Sequence, residues 1–257
     1  MGVAHELIDD RNIEVSHVGI MEYFVPVIFL NGNDRYETMV KFDCGVSLSA
    51  EKKGARLSRI IESIDSNLAF QEIQLRDLGD VVKTTAKLLE CNNLDFKMEF
   101  DIAFSLVTPV SNRKTYLNST INIQYKLNGN ILVRKISMTS NGAMLCPNSK
   151  LISEYGAHSQ RCEMKFTLEG EIEEINIKKL IMKSMEAFSC EVYGVVKSVD
   201  EKVMTEKAYD NPKFTEDLIR DALLKLREEF HEGRIIVEVK NIETIHQHSV
   251  RAIGEIQ

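Results

Sequence analysis

The chain has 257 residues, 44% hydrophobic and 28% charged, enough to bury one large core or two of about half that size. Its formal net charge of −7 argues against general nucleic-acid binding and leaves room for a local basic pocket that takes a small polyanion. No segment approaches the roughly 20 apolar residues of a membrane span. The first residues carry neither a signal-peptide core nor a myristoylation pattern, and five scattered cysteines without a C-x-x-C pair speak against a disulfide frame or a structural zinc knot. A cytoplasmic protein is expected.

Taken in order, Ile13 to Leu30 and Tyr36 to Leu48 are rich in β-branched and aromatic residues and flank Asn31-Gly32-Asn33-Asp34, which predicts a β-hairpin. Apolar residues then recur at helical spacing from Gly54 to Ile64 and from Gln71 to Cys91, predicting two helices. Asp95 to Val107 and Tyr116 to Ser140 return to strand character, the latter folded at Asn128-Gly129-Asn130. Between Cys146 and Arg161 a helix of about two turns is expected, entered at Pro147, capped by Asn148 or Ser149 and stopped by Gly156. A strand over Arg161 to Leu168, a helix over Ile175 to Phe188 and a short apolar, strand-like stretch over Val192 to Val199 follow. Asn211-Pro212 is expected to cap a helix whose apolar face is Phe214, Leu218, Ala222, Leu223 and Leu226, before strands over Arg234 to Ile242 and from Ser249 onward. The halves share an element order and no Ser/Gly/Pro-rich linker parts them. That suggests an α+β chain of two tandem ββααββ units, residues 1–115 and 116–257, within one continuous sheet.

Several clusters carry chemistry. Cys146 stands just before a helix N-terminus, where the dipole favours thiolate, and His158 lies at the far end of the same segment; sulfur plus nitrogen suits zinc or iron but needs a third donor. Asp200-Glu201-Lys202 offers hard carboxylate oxygen or is a solvated turn. Glu216 and Asp217 sit in a first helical turn, where two acids stabilise the dipole without further function. Glu243-Thr-Ile-His246-Gln-His248 follows a strand, and alternation aims both imidazoles to one side. Lys52, Lys53, Arg56 and Arg59 open a helix and form either a phosphate cradle or a solvated basic turn.

Jointly, Lys53-Gly54 with Ser58-Arg59, Cys146-Pro147 with Ser149-Lys150 and Ile152-Ser153, Gly156-Ala157-His158 with Gln160-Arg161, Asp200-Glu201-Lys202 with Thr205-Glu206, Asn211-Pro212-Lys213-Phe214 with Glu216-Asp217, and Ile245-His246 with His248-Ser249 make a pattern spanning nearly the whole chain. It resembles the type IB GTP cyclohydrolases of the tunnelling-fold (T-fold) superfamily. The resemblance implies two tandem units forming a continuous antiparallel sheet with helices on one face, most active-site residues lying in the second unit. It implies one divalent metal per subunit (Zn²⁺, Mn²⁺ or Fe²⁺) held by Cys146, His158 and Glu201, with Cys146 also counted among the catalytic residues. Glu216 would anchor guanine, Glu243, His246 and His248 would handle protons, and Lys53, Arg59 and Arg161 would meet substrate. GTP would be hydrolysed to 7,8-dihydroneopterin triphosphate and formate, the first step towards folate, in a homotetramer with active sites between subunits and no membrane or nucleic-acid partner.

Two positions depart from the family pattern: Asn148 replaces a usual second cysteine, and Lys197-Ser198-Val199-Asp200 lacks the arginine usually found before Asp-Glu. An archaeal-like activity releasing a cyclic phosphate of dihydroneopterin is the nearest alternative. A non-catalytic T-fold protein binding pterin or purine would need Glu216 but no metal set. A nitrile reductase of the queuosine route would need a nicotinamide site and a cysteine free of metal.

Overall fold

The computed structural model describes residues 7–257, so the sequence reading of the first six residues lies outside the described part. Its strands are β1 (Val15–Asn31), β2 (Asp34–Leu48), β3 (Glu72–Ile73), β4 (Asn93–Val107), β5 (Lys114–Asn128), β6 (Ile131–Leu145), β7 (Ser159–Glu169), β8 (Cys190–Glu191), β9 (Arg234–Asn241) and β10 (Val250–Ile256). The helices are α1 (Ser58–Leu68), α2 (Leu75–Leu88), α3 (Pro147–Ile152), α4 (Ile177–Met185), α5 (Ser198–Asp210) and α6 (Thr215–Arg227). Hydrogen bonding orders the strands β10-β9-β7-β6-β5-β4-β2-β1-β3, with β8 pairing β6, in a large, mainly antiparallel sheet. The β1–β3 pair is parallel. No helix among the described residues is long and apolar enough to cross a membrane.

The chain divides into two compact units. Of the described residues, unit 1 comprises those up to Asp101, Ile121–Ile136 and Gly170–Glu174; unit 2 comprises Ile102–Thr120, Ser137–Glu169 and Ile175–Gln257. The sequence reading divides the chain once, between 115 and 116. Here β4, β5 and β6, fifteen residues each, contribute one stretch to each unit.

Strand alternation builds each core. In unit 1, Val25, Val27 and Phe29 of β1 lie on the buried face with Val40, Phe42 and Cys44 of β2 and Leu94, Phe96 and Met98 of β4. Phe29 meets Phe100 at 5.0 Å between ring centroids, and Phe42 meets Phe96 edge-on at 5.7 Å. Helices α1 and α2 bury Ile60, Ile64 and Leu68, and Leu78 and Val82. Each fully buried aliphatic side chain contributes about 1.5–3 kcal/mol. Unit 2 repeats the plan with Met164, Phe166 and Leu168 of β7, Val237 and Val239 of β9, and Leu218, Ala222 and Leu226 of α6. The Phe188 ring lies so close over Gly142 that a Cβ there would sit 2.1 Å from its Cγ.

The helical periodicity from Gln71 resolves into two elements. Two residues extend as β3, and Gln74 then caps α2, its backbone N–H donating to Asp77 Oδ2 at 2.8 Å.

Candidate active site

Cys146 and His158 are joined through the backbone. Leu145 ends β6, Cys146 is the N-cap of α3, and Pro147 takes the first helical position, where its missing N–H costs nothing. Cys146 Sγ accepts from the Ser149 N–H at 3.4 Å. The helix is six residues long, about the two turns expected, and ends at Ile152 because Ser153 is already extended; Gly156, at φ 120°, belongs to the following loop and does not stop the helix. His158 therefore stands at the head of β7. Its carbonyl accepts from Cys146 N at 3.1 Å and its N–H donates to Ser149 Oγ at 3.2 Å, closing the loop at its base. The imidazole Nδ1 lies 2.8 Å from Gln160 Oε1.

Residues 192–197 are loop and not strand, and Asp200-Glu201-Lys202 lies in the first turns of α5. Asp200 is buried. Its carboxylate accepts from Lys197 N (3.0 Å), Val110 N (3.0 Å), Ser111 N (2.8 Å) and Ser111 Oγ (2.6 Å). Burial pushes the carboxyl up, but these donors together hold it well below the usual carboxylate range. Asp200 thus anchors the helix, and Glu201 is exposed. Helical spacing places Glu201 on one face with Met204 and Ala208, which pack on Leu145 and Ala157, the chain neighbours of Cys146 and His158. Lys150 of α3 bonds the Tyr209 carbonyl and lies 4.2 Å from the centre of its ring. Among the described residues no three His, Cys, Asp or Glu side chains are close enough to cage a metal. Cys146 and His158 are brought together, and Glu201 sits on the facing helix without completing a cluster.

The second acidic pair divides its roles. Asn211 does not cap α6; its amide donates to the Phe188 and Ser189 carbonyls at 3.1 and 3.3 Å, and Phe214 is the N-cap, half-exposed and outside the buried face. Asp217 accepts from Phe214 N at 3.1 Å and from Arg220 at 3.1 Å. Glu216 is exposed and makes no hydrogen bond or ion pair among the described residues.

Buried Asn241, the last residue of β9, donates through Nδ2 to Glu243 Oε1 at 3.0 Å and to Thr215 Oγ1 at 3.4 Å, tying Glu243 to the start of α6. Its neighbour Ile242 donates to the Arg161 carbonyl at 3.0 Å. His246 and His248 lie in the loop between β9 and β10, not on a strand, yet their rings stack with centroids 5.2 Å apart and planes 19° from parallel. The side-by-side placement expected from alternation is present, produced by loop conformation.

Lys53 and Arg59 belong to unit 1, and the helix expected from Gly54 starts later there. Helix α1 begins at Ser58, so Lys52, Lys53 and Arg56 precede it. Arg59 Nη1 donates to the Leu88 carbonyl at 2.7 Å and pairs with Glu90 at 3.3 Å; Arg56 pairs with Glu90 at 2.8 Å. Lys53 is exposed. A cavity of about 830 Å³ beside Lys52, Arg56 and Cys91 is lined wholly by unit 1 residues.

Residues 4–252 match the family model described as type I GTP cyclohydrolase FolE2. The chain belongs to this family. It is accordingly a GTP cyclohydrolase, a hydrolase. It is 34% identical to GTP cyclohydrolase FolE2 of Geobacter sp. (strain M21) over 96% of this chain and 91% of that one. It is 32% identical to the FolE2 protein of Fervidobacterium nodosum over 95% and 93%, and 30% identical to that of Neisseria gonorrhoeae over 95% and 94%. Among solved structures, uricase from Arthrobacter globiformis superposes with a TM-score of 0.54 at 6% identity, covering 94% of this chain and 93% of that one. A hyperthermostable mutant of Bacillus sp. TB-90 urate oxidase gives 0.52 at 9% identity, covering 94% and 98%. These two similarities concern the fold alone.

In this FolE2-family chain, sequence reasoning assigned no role to Gln160 or Asn241, and it read Asp200 as a candidate carboxylate donor and not as the buried anchor of α5. The available signal was polarity out of place: Gln160 opens an otherwise apolar buried row on β7, and Asn241 closes one on β9.

Proposed function

We propose that the chain converts GTP and water to 7,8-dihydroneopterin triphosphate and formate, the first step of a folate route. The supporting geometry is the set of exposed acid and base groups that unit 2 leaves without structural employment. One observation carries the reading furthest: Glu216 has no hydrogen-bond or ion-pair partner among the described residues, while Asp217 beside it does the capping. An ionised carboxylate accepts guanine N1–H and N2–H together, whereas adenine turns an acceptor towards it. A site of this kind rejects ATP by a factor of the order of 10⁴.

Cys146, His158 and Glu201 would hold one divalent ion, Zn²⁺, Mn²⁺ or Fe²⁺. The donor chemistry fits: a sulfur at a helix N-cap, an imidazole with one nitrogen already tied, and a carboxylate on the facing helix. Such an ion supplies Lewis acidity that brings the pKa of water towards neutrality. The stacked His246 and His248, with Glu243, deliver and collect protons at the purine ring nitrogens as the bonds from C8 to N7 and N9 break and C8 leaves as formate. Arg161 and Lys53 are exposed and suit the triphosphate; Arg59 would first have to leave Glu90.

We assign the chain to the T-fold superfamily, with tandem ββααββ units into which β3, α3, β8 and α5 are inserted, acting as a cytoplasmic homotetramer with active sites between subunits. Metal-reconstituted protein incubated with GTP is expected to release formate and, after oxidation, a fluorescent pterin. Absence of formate from metal-loaded, folded protein would refute the reaction.

A further inference from the structure

Gln160 is the anomaly of β7. The inward row of this strand runs Gln160, Cys162, Met164, Phe166, Leu168, so an amide heads four apolar side chains at 7% exposure. An amide held there without a bond costs free energy, and its bond is to the side chain two residues earlier on the same face: Gln160 Oε1 to His158 Nδ1, 2.8 Å. The backbone of His158 is fixed independently by Cys146 N and Ser149 Oγ. One ring nitrogen is thus committed to a buried carbonyl on a rigid strand.

We propose that Gln160 is a positioning residue whose side-chain carbonyl accepts the Nδ1 proton of His158, fixing the imidazole in the tautomer that presents an Nε2 lone pair to a divalent cation. A carbonyl oxygen only accepts, so Nδ1 carries the proton and Nε2 is the nitrogen left to coordinate. With the amide reversed, its NH₂ would face Nδ1, the proton would sit on Nε2, and that nitrogen could not bind a metal. A partner of this kind also fixes ring orientation, and its loss typically weakens metal affinity by roughly 10- to 100-fold. The functional sense of the inference rests on His158 being a metal ligand; the tautomer itself does not.

The test uses ¹⁵N-labelled, metal-free full-length protein at alkaline pH, with long-range proton–nitrogen correlation of the imidazoles and His158 assigned by its disappearance in His158→Gln. Wild type is expected to show His158 as the Nδ1–H tautomer. Gln160→Leu, which extends the apolar row, should show mixed tautomers and about 10- to 100-fold weaker Zn²⁺ binding in a chelator competition. Gln160→Glu still accepts from Nδ1 and should keep both properties. An Nε2–H tautomer in wild type overturns the inference, as does a Gln160→Leu protein with unchanged tautomer and unchanged Zn²⁺ affinity. If Gln160→Leu does not fold, wild type and Gln160→Glu decide the tautomer. If His158→Gln binds Zn²⁺ as wild type does, the ligand reading fails, and the wild-type spectrum still decides the role of Gln160.

Discussion

Asn241 Nδ2 lies 3.0 Å from Glu243 Oε1, a buried amide holding the carboxylate that follows the end of β9. Replacing this donor by an acid reverses the local electrostatics. In Asn241→Asp two carboxyls share one small site, and like charge disfavours ionisation of both. If Glu243 works as a base, the acid limb of the pH–rate profile should move to higher pH by about one unit or more. Steady-state rates across pH would show it; an unmoved limb would take Glu243 out of the proton transfers.

The stacked imidazoles make a second comparison. His246→Ala and His248→Ala should bind GTP yet turn over roughly 10²- to 10⁴-fold more slowly. Both rings are exposed, so thermal unfolding should shift little. A variant with wild-type kcat across the pH range assigns that ring a passive place.

Glu216 and Asp217 separate binding from stability. Glu216→Gln should weaken GTP binding by about 1.5–3 kcal/mol, the worth of a hydrogen bond to a charged group, without lowering Tm. Asp217→Asn weakens the cap on Phe214 and the pair with Arg220, and should cost about 0.5–1 kcal/mol of stability with little effect on binding. Calorimetry with GTP and thermal melts distinguish the two; equal effects on affinity would make both residues helix-end charges only.

Thiol reactivity should single out Cys146. Burial pushes the Cys44 and Cys162 thiols up to about 12 and Cys190 up to about 11, and raises Cys91 as well. A thiol at about 11 is ionised to only about one part in 10³ at pH 8, and the thiolate is the nucleophile. Iodoacetamide should therefore modify Cys146 first in native protein, and added Zn²⁺ should protect it. Mass spectrometry of peptides after short exposure reads the order; earlier labelling of Cys44 or Cys162 in folded protein would contradict it.

Cys146→Ser tests the metal set without disturbing the fold. A hydroxyl caps a helix at least as well as a thiol, so stability should hold within about 1 kcal/mol. The soft donor is gone, and metal content should fall from about one ion per chain to near none. Full occupancy in this variant would remove Cys146 from the ligands.

What the sequence revealed followed the physical signals it contains. Alternation and the Asn-Gly turns located the hairpins, and the apolar spacing of Leu218, Ala222 and Leu226 located α6. Helix α5 escaped because its apolar residues make no single stripe: Val199 and Val203 face solvent, and the element is held by the Asp200 anchor and by Met204 and Ala208. Both supports come from residues remote in sequence, Ser111 and Leu145. The ion pairing of the basic stretch stayed hidden for the same reason, since nothing near Arg59 in sequence announces Glu90 as its partner. Within the candidate site, residue types were legible from motifs. Their orienting contacts, Gln160 on His158 and Asn241 on Glu243, each join residues two apart in the chain, and it is the backbone at the start of β7 and the end of β9 that brings the two side chains of each pair together.

The assignment of β4, β5 and β6 in part to each unit has a consequence for cutting the gene. A break at the Asn128-Gly129-Asn130 turn, the obvious place between two hairpin strands, leaves unit 1 residues 121–128 on one fragment and 131–136 and 170–174 on the other. Neither fragment contains a whole unit. Halves expressed apart should be insoluble or unstructured alone and regain structure only when mixed, which makes this turn a natural junction for a complementation reporter.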